Sequence, residues 1–180
     1  MNKSNAVILP TNIIPVSYEI SLKPNFHKFI FEGEETVKIE ILEPTNSITL
    51  NSIELNIKAC EVYSEIAGEL YKPYETTFDI GKETVTFGFS KIVPVGNSLL
   101  TIKFQGELND KLRGFYRSTY KDQNGEPRYL ASTQLEATDA RRTFPCWDEP
   151  SLKATFNLTL TIPEDMVSIS NMPKRAELVH

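Results

Sequence analysis

Thr133-Gln-Leu-Glu-Ala-Thr-Asp-Ala-Arg-Arg-Thr-Phe-Pro-Cys-Trp-Asp-Glu-Pro150 is the run of this sequence most crowded with unusual residues. It holds four carboxylates (Glu136, Asp139, Asp148, Glu149), two adjacent arginines, the only tryptophan, one of two cysteines and two prolines. On either side the pattern is that of plain β-strands. Tyr129 to Leu135 leads in. Ala154 to Ile162 leads out, with Phe156, Leu158, Leu160 and Ile162 on one face and Asn157, Thr159 and Thr161 on the other. The run is therefore a corner between strands.

Working outward, the same two-residue alternation recurs. Val16 to Leu22 reads as a strand broken at Pro24 and Asn25, and Phe29 to Leu42 as a stronger one with Val37, Ile39 and Ile41 in phase. Pro44 to Asn46 is a turn. Ile48 to Ile57 gives one or two short strands bent at Asn51 and Ser52, and Ala59 to Ile66 gives another, closed by Gly68. Pro73 to Phe78 is weaker, and Thr84 to Phe89 is clear. Leu100, Ile102 and Phe104 mark the strand that Gly106 ends. Gly114 to Ser118 then precedes a hairpin through Asp122-Gln-Asn-Gly-Glu-Pro127. Val167 to Ser170 is expected to form a short last strand, and a helical turn is expected only around Ala137 to Arg142. About a dozen strands with turn signals about every 8–12 residues predict an all-β fold, a β-sandwich or a set of curved sheets.

Composition bounds the function. The chain has 180 residues, 40% hydrophobic and 24% charged, which suits one globular domain spanning 1–180. A formal net charge of −5 argues against nucleic acid as a partner. No apolar run reaches the length of a membrane span, and the N-terminal run is cut at Pro10, so neither a membrane segment nor a secretory signal is expected. Cys60 and Cys146 read as free thiols in a reducing compartment, and the expected location is cytoplasmic. Sequons at Asn2 and Asn157 carry little meaning there.

The usual catalytic signatures are missing. There is no His-Glu-x-x-His, no phosphate-binding glycine loop and no Gly-x-Ser-x-Gly. His27 and His180 stand alone, whereas a metal site needs three or four converging ligands. Cys146, between Pro145 and Trp147, has no neighbouring base and reads as packed. Within the corner, a strand continuing from Tyr129 would turn Gln134 and Glu136 to one face and Leu135 to the other. An amide beside a carboxylate suits a ligand bearing an ammonium group. A solvated polar face is the other reading of the same pattern. Asp139, Arg141 and Arg142 read as local ion pairs, Asp148 as a cap on backbone N–H groups, and Phe144 and Trp147 as core anchors.

Taken together, Thr133–Pro150, Leu9-Pro10 with Pro15-Val-Ser-Tyr18, Phe31-Glu-Gly33 before the Val37 strand, and Gly114-Phe-Tyr-Arg-Ser118 resemble the N-terminal domain of the M1 (gluzincin) zinc aminopeptidases, closest to the cytosolic puromycin-sensitive type. The resemblance covers nearly the whole chain. It implies a saddle of β-sheets lying against a catalytic domain of the same protein, which would hold the zinc. It also implies that Gln134 and Glu136 line the pocket for the first residue of a peptide substrate, Glu136 binding the free α-ammonium. By that resemblance this chain contains no catalytic residue, no metal ligand and no cofactor, and is inactive alone. Further strands are expected after His180, so the chain is expected to be truncated at its C-terminus, with a free sheet edge prone to self-association. Family members that have lost the zinc motif act as scaffolds, which makes a non-catalytic scaffold or a protein-interaction β domain the alternative.

Overall fold

The computed structural model describes residues 8–178; the Asn2 sequon and His180 lie outside them. Among the described residues the fold is all-β. Its eleven strands are β1 (Ile13–Asn25), β2 (Ile30–Ile41), β3 (Thr45–Asn51), β4 (Leu55–Ser64), β5 (Glu69–Tyr71), β6 (Glu75–Asp79), β7 (Thr84–Val93), β8 (Gly96–Glu107), β9 (Gly114–Lys121), β10 (Pro127–Gln134) and β11 (Thr155–Leu160).

They form three sheets. Six strands make the largest, ordered β11-β1-β2-β8-β4-β5; β3-β7-β6 make a second, and β9 and β10 form a two-stranded ribbon. The alternation in the sequence has a simple cause. One face of each main sheet is buried, so alternate residues are mostly apolar. Phe31, Val37, Ile39 and Ile41 of β2, Leu100, Ile102 and Phe104 of β8, Ile48 and Leu50 of β3, and Val85, Phe87 and Phe89 of β7 join one hydrophobic cluster. Gly33 and Gly106 lie in strands of this core because aromatic rings need their space: an added Cβ would fall 2.2 Å from the Phe104 ring at Gly33 and 2.3 Å from the Phe31 ring at Gly106. Gly106 is thus inside β8 and does not end it.

Other expectations shift in detail. The break expected at Pro24 and Asn25 comes later, since β1 pairs with β2 through Asn25. Pro15 and Pro24 are tolerated in β1 because β11 pairs only with Ser17–Leu22, so their missing N–H groups fall outside that ladder. A bulge between Pro15 and Ser17 changes the strand's phase. The two strands expected on either side of Ile57 are one, β4, with a register shift between Ile57 and Ala59. Val167 to Ser170 is not a strand. β11 runs parallel to β1 at the sheet edge, and both faces of it are largely open, with Phe156 and Leu158 exposed. Among the described residues no helix is long and apolar enough to cross a membrane.

Candidate functional site

The corner between β10 and β11 is built by backbone first. Cys146 extends the β3 side of the fold: the Asn51 N–H donates to the Cys146 carbonyl at 2.8 Å, and the Cys146 N–H returns a bond to Asn51 at 3.0 Å. The Asp148 N–H donates to Asn51 Oδ1 at 3.1 Å, and the Trp147 N–H donates to the Tyr18 hydroxyl at 3.3 Å. Phe144, Cys146 and Trp147 are buried, as expected of core anchors. Tyr18 stacks on Phe156 at 4.9 Å and meets Phe144 edge-on at 5.9 Å.

Charge then ties the corner to distant loops. Arg141 Nε donates to Asp148 Oδ2 at 2.9 Å and its Nη1 to Glu83 Oε2 at 3.0 Å. Arg142 Nε donates to Asp139 Oδ1 at 2.8 Å, Nη1 pairs with Glu54 Oε2 at 2.7 Å, and Nη2 lies 3.9 Å from Glu83 Oε1. Desolvation works against the charge on Arg142, yet its bonds to Asp139 and Glu54 outweigh it and hold its pKa above the ordinary value. The local ion pairs read from the sequence are present. Asp148, however, accepts from Arg141 where a backbone cap was expected, because the guanidinium reaches it across the corner. Glu54 and Glu83, both at positive φ (59° and 54°), were not legible as partners, since they lie in loops far along the chain. Glu149 is also engaged: its Oε1 accepts the Leu9 N–H at 2.7 Å.

Gln134 and Glu136 sit differently. β10 ends at Gln134, Leu135 is half-buried, and Glu136 stands in a turn whose peptide bond to Ala137 is cis. The two side chains do not share a strand face, because the strand stops before Glu136. Both are exposed. The turn closes when the Asp139 N–H donates to the Leu135 carbonyl at 2.9 Å, and a single 3-10 turn, Ala140–Arg142, follows in place of the helical turn expected from Ala137. Neither Gln134 nor Glu136 takes part in the ion pairs that engage Asp139 and Asp148. One surface depression lies away from them, over Ser21, Lys23, Glu32, Lys103 and Gln105 on the polar face of the six-stranded sheet.

Two further groups stand as the sequence suggested, His27 apart from any ligand cluster and Cys146 packed. His27 is an exposed turn residue. Burial, reinforced by the Asp148 charge and opposed by Arg141, pushes the Cys146 thiol well up, which leaves it protonated and unreactive. Among the described residues no three His, Cys, Asp or Glu side chains converge in a way that could hold a metal ion, so the donor set there does not fit zinc.

Against known proteins, residues 14–179 match the model of the peptidase M1 N-terminal domain. Aminopeptidase 2 of Candida albicans is 40% identical over 174 residues, covering 96% of this chain and 18% of that protein. Aminopeptidase M1-B of Oryza sativa subsp. japonica is 42% identical over 172 residues, covering 96% of this chain and 19% of its own length. The puromycin-sensitive aminopeptidase of Caenorhabditis elegans is 40% identical over 164 residues, covering 91% and 17%. The chain therefore spans about a fifth of the length of the curated relatives it matches.

Proposed function

The chain belongs to the peptidase M1 family through its N-terminal domain, and from this premise we propose that it is the substrate-facing domain of an aminopeptidase, presenting Glu136 to the α-ammonium of a peptide with a free N-terminus and Gln134 to the polar groups beside it. One observation carries the reading. Of the four carboxylates in Thr133–Pro150, Asp139 pairs with Arg142, Asp148 with Arg141 and Glu149 with the Leu9 N–H, while Glu136 is exposed and outside those bonds. A carboxylate kept clear of two nearby arginines is available to an external cation.

The chemistry of such a contact is discrimination. Closed into a cleft by a neighbouring domain of the same protein, a carboxylate opposite an ammonium forms a charge-assisted hydrogen bond. A blocked N-terminus would leave that carboxylate desolvated and unpaired, which disfavours it. Hydrolysis itself belongs to the remainder of the protein, where the family's zinc would supply the Lewis acid and the activated water. The free thiols Cys60 and Cys146 suit a reducing, cytoplasmic setting.

The test is Glu136→Gln in the full-length enzyme. Loss of a charge-assisted bond is worth about 1.5–3 kcal/mol, so kcat/KM for free-amine peptides should fall about ten- to hundredfold. An unchanged kcat/KM sinks the assignment.

A further inference from the structure

We infer that Arg142 is a positioning residue for Glu136, acting through Asp139; this rests on the reading of Glu136 given above. Glu136 itself stands free of the ion-pair network, so something must fix where it points. The connection runs through three contacts in sequence. The turn bearing Glu136 is closed by the Asp139 N–H on the Leu135 carbonyl at 2.9 Å. The Asp139 side chain accepts from Arg142 Nε at 2.8 Å. Arg142 is in turn held from the far side by Glu54 at 2.7 Å, in the loop between β3 and β4. The guanidinium fork thus joins the turn to a loop of the fold's body.

Gly114 supplies the floor of this arrangement. It pairs with Gln134 across the ribbon, at φ 62°, and a Cβ there would fall 2.7 Å from Arg142 Cβ and 3.4 Å from the Asp139 carbonyl. The end of β10, the turn and the Arg142 side chain therefore meet on one glycine, and only a residue without a Cβ lets them close together. Arginine is required at 142 because its donors diverge in a fixed plane: one serves Asp139 while another serves Glu54. A lysine would reach one of the two carboxylates. Side-chain exposure of 13% for Arg142 and 19% for Asp139 shields this link from solvent.

Two readouts test the role together. In the chain itself, Arg142→Met, Arg142→Lys and Asp139→Asn are compared with the unmodified sequence by amide hydrogen exchange. The Asp139 amide should exchange at least tenfold faster in Arg142→Met and Asp139→Asn and by a smaller factor in Arg142→Lys. The Asn51 and Cys146 amides, bonded to one another in the body of the fold, report in the same spectrum that folding is retained; Asp139→Asn keeps size and shape and serves if Arg142→Met does not fold. In the full-length enzyme the same variants should raise KM for free-amine peptides severalfold more than they lower kcat, Arg142→Lys the least. An unchanged Asp139 amide in the folded variants overturns the proposal. So does an unchanged KM in Arg142→Met when Glu136→Gln does raise it, and that pattern leaves the role of Glu136 standing. If Glu136→Gln leaves KM unchanged as well, the amine-binding reading fails and this inference falls with it.

Discussion

Glu35 should make this fold less stable as pH rises through the weakly acidic range, and replacing it should remove that dependence. It lies on the buried face of β2, in phase with Phe31, Gly33 and Val37, and is 0% exposed. Neither carboxyl oxygen finds a hydrogen-bond partner among the described residues. The groups that sense its charge are Tyr18 on β1, Cys60 on β4 and Cys146 in the corner segment, all of them neutral acids and none a cation. Desolvation therefore raises the Glu35 carboxyl well above its ordinary value of 4.5, and the folded state holds it protonated.

The sign follows from proton uptake. Above about pH 4.5 the unfolded chain releases this proton while the folded chain retains it. Folding then binds one proton more, and stability falls by about 1.4 kcal/mol per pH unit until the folded carboxyl itself ionises. For a chain of this size that corresponds to roughly 3–6 °C in Tm per unit. Glu35→Gln removes the titration but keeps a buried polar group. Glu35→Met removes both, and sparing an unpaired polar group should add a further ~1–3 kcal/mol. Thermal melts followed by circular dichroism at pH 5, 6 and 7 separate the two effects. The Tm gap between Glu35→Gln and the unmodified chain should widen with pH, and Glu35→Met should lie above Glu35→Gln throughout. A gap that stays constant from pH 5 to pH 7 refutes the buried neutral acid. Equal stability of the two variants refutes the unpaired polar group.

Gly33→Ala should destabilise the chain by about 1–3 kcal/mol, because its Cβ would overlap the Phe104 ring, and a second change, Phe104→Leu, should restore part of the loss; urea midpoints read both. Tyr18→Phe keeps the ring contacts but strips the acceptor from the buried Trp147 N–H, so it should cost about 1–3 kcal/mol in the same assay; a smaller change would mean that the hydroxyl contributes nothing to holding the corner.

The strands were legible where one face is sealed and the other wet. Val37, Ile39 and Ile41, or Leu100, Ile102 and Phe104, show the two-residue period because alternate residues of these strands face the core. Where that contrast fails, so does the reading. At β1 the bulge after Pro15 puts Val16 outside, although its apolar side chain suggested otherwise. β11 alternates cleanly yet leaves Phe156 and Leu158 exposed, since it lies at the sheet edge and Tyr18 covers only part of the Phe156 ring. Glu35 was hidden because Glu34-Glu35 looks like solvent-facing charge. Its phase with Phe31 and Val37 was the signal that placed it inside. Glu54 and Glu83 had no signal at all, for an ion pair between loops far apart in sequence leaves no local pattern.

The corner itself shows why a crowded run of charge is hard to interpret from composition. Its carboxylates look equivalent in sequence, but their surroundings separate them. Asp148 has a side chain only 14% exposed and is paired with Arg141, because a carboxylate largely shielded from water without a partner would be unfavourable. Asp139 needs Arg142 for the same reason. Two arginines satisfy two half-buried acids in the run and, by reaching Glu54 and Glu83, lock the corner to loops of the main body. Glu136 needs no internal partner because it remains in water, and the turn that carries it is closed by backbone at Leu135 and Asp139. Burial thus divides the corner: the shielded acids Asp139 and Asp148 brace the structure, and Glu136 is left exposed to solvent, which is what the proposed contact with an ammonium requires.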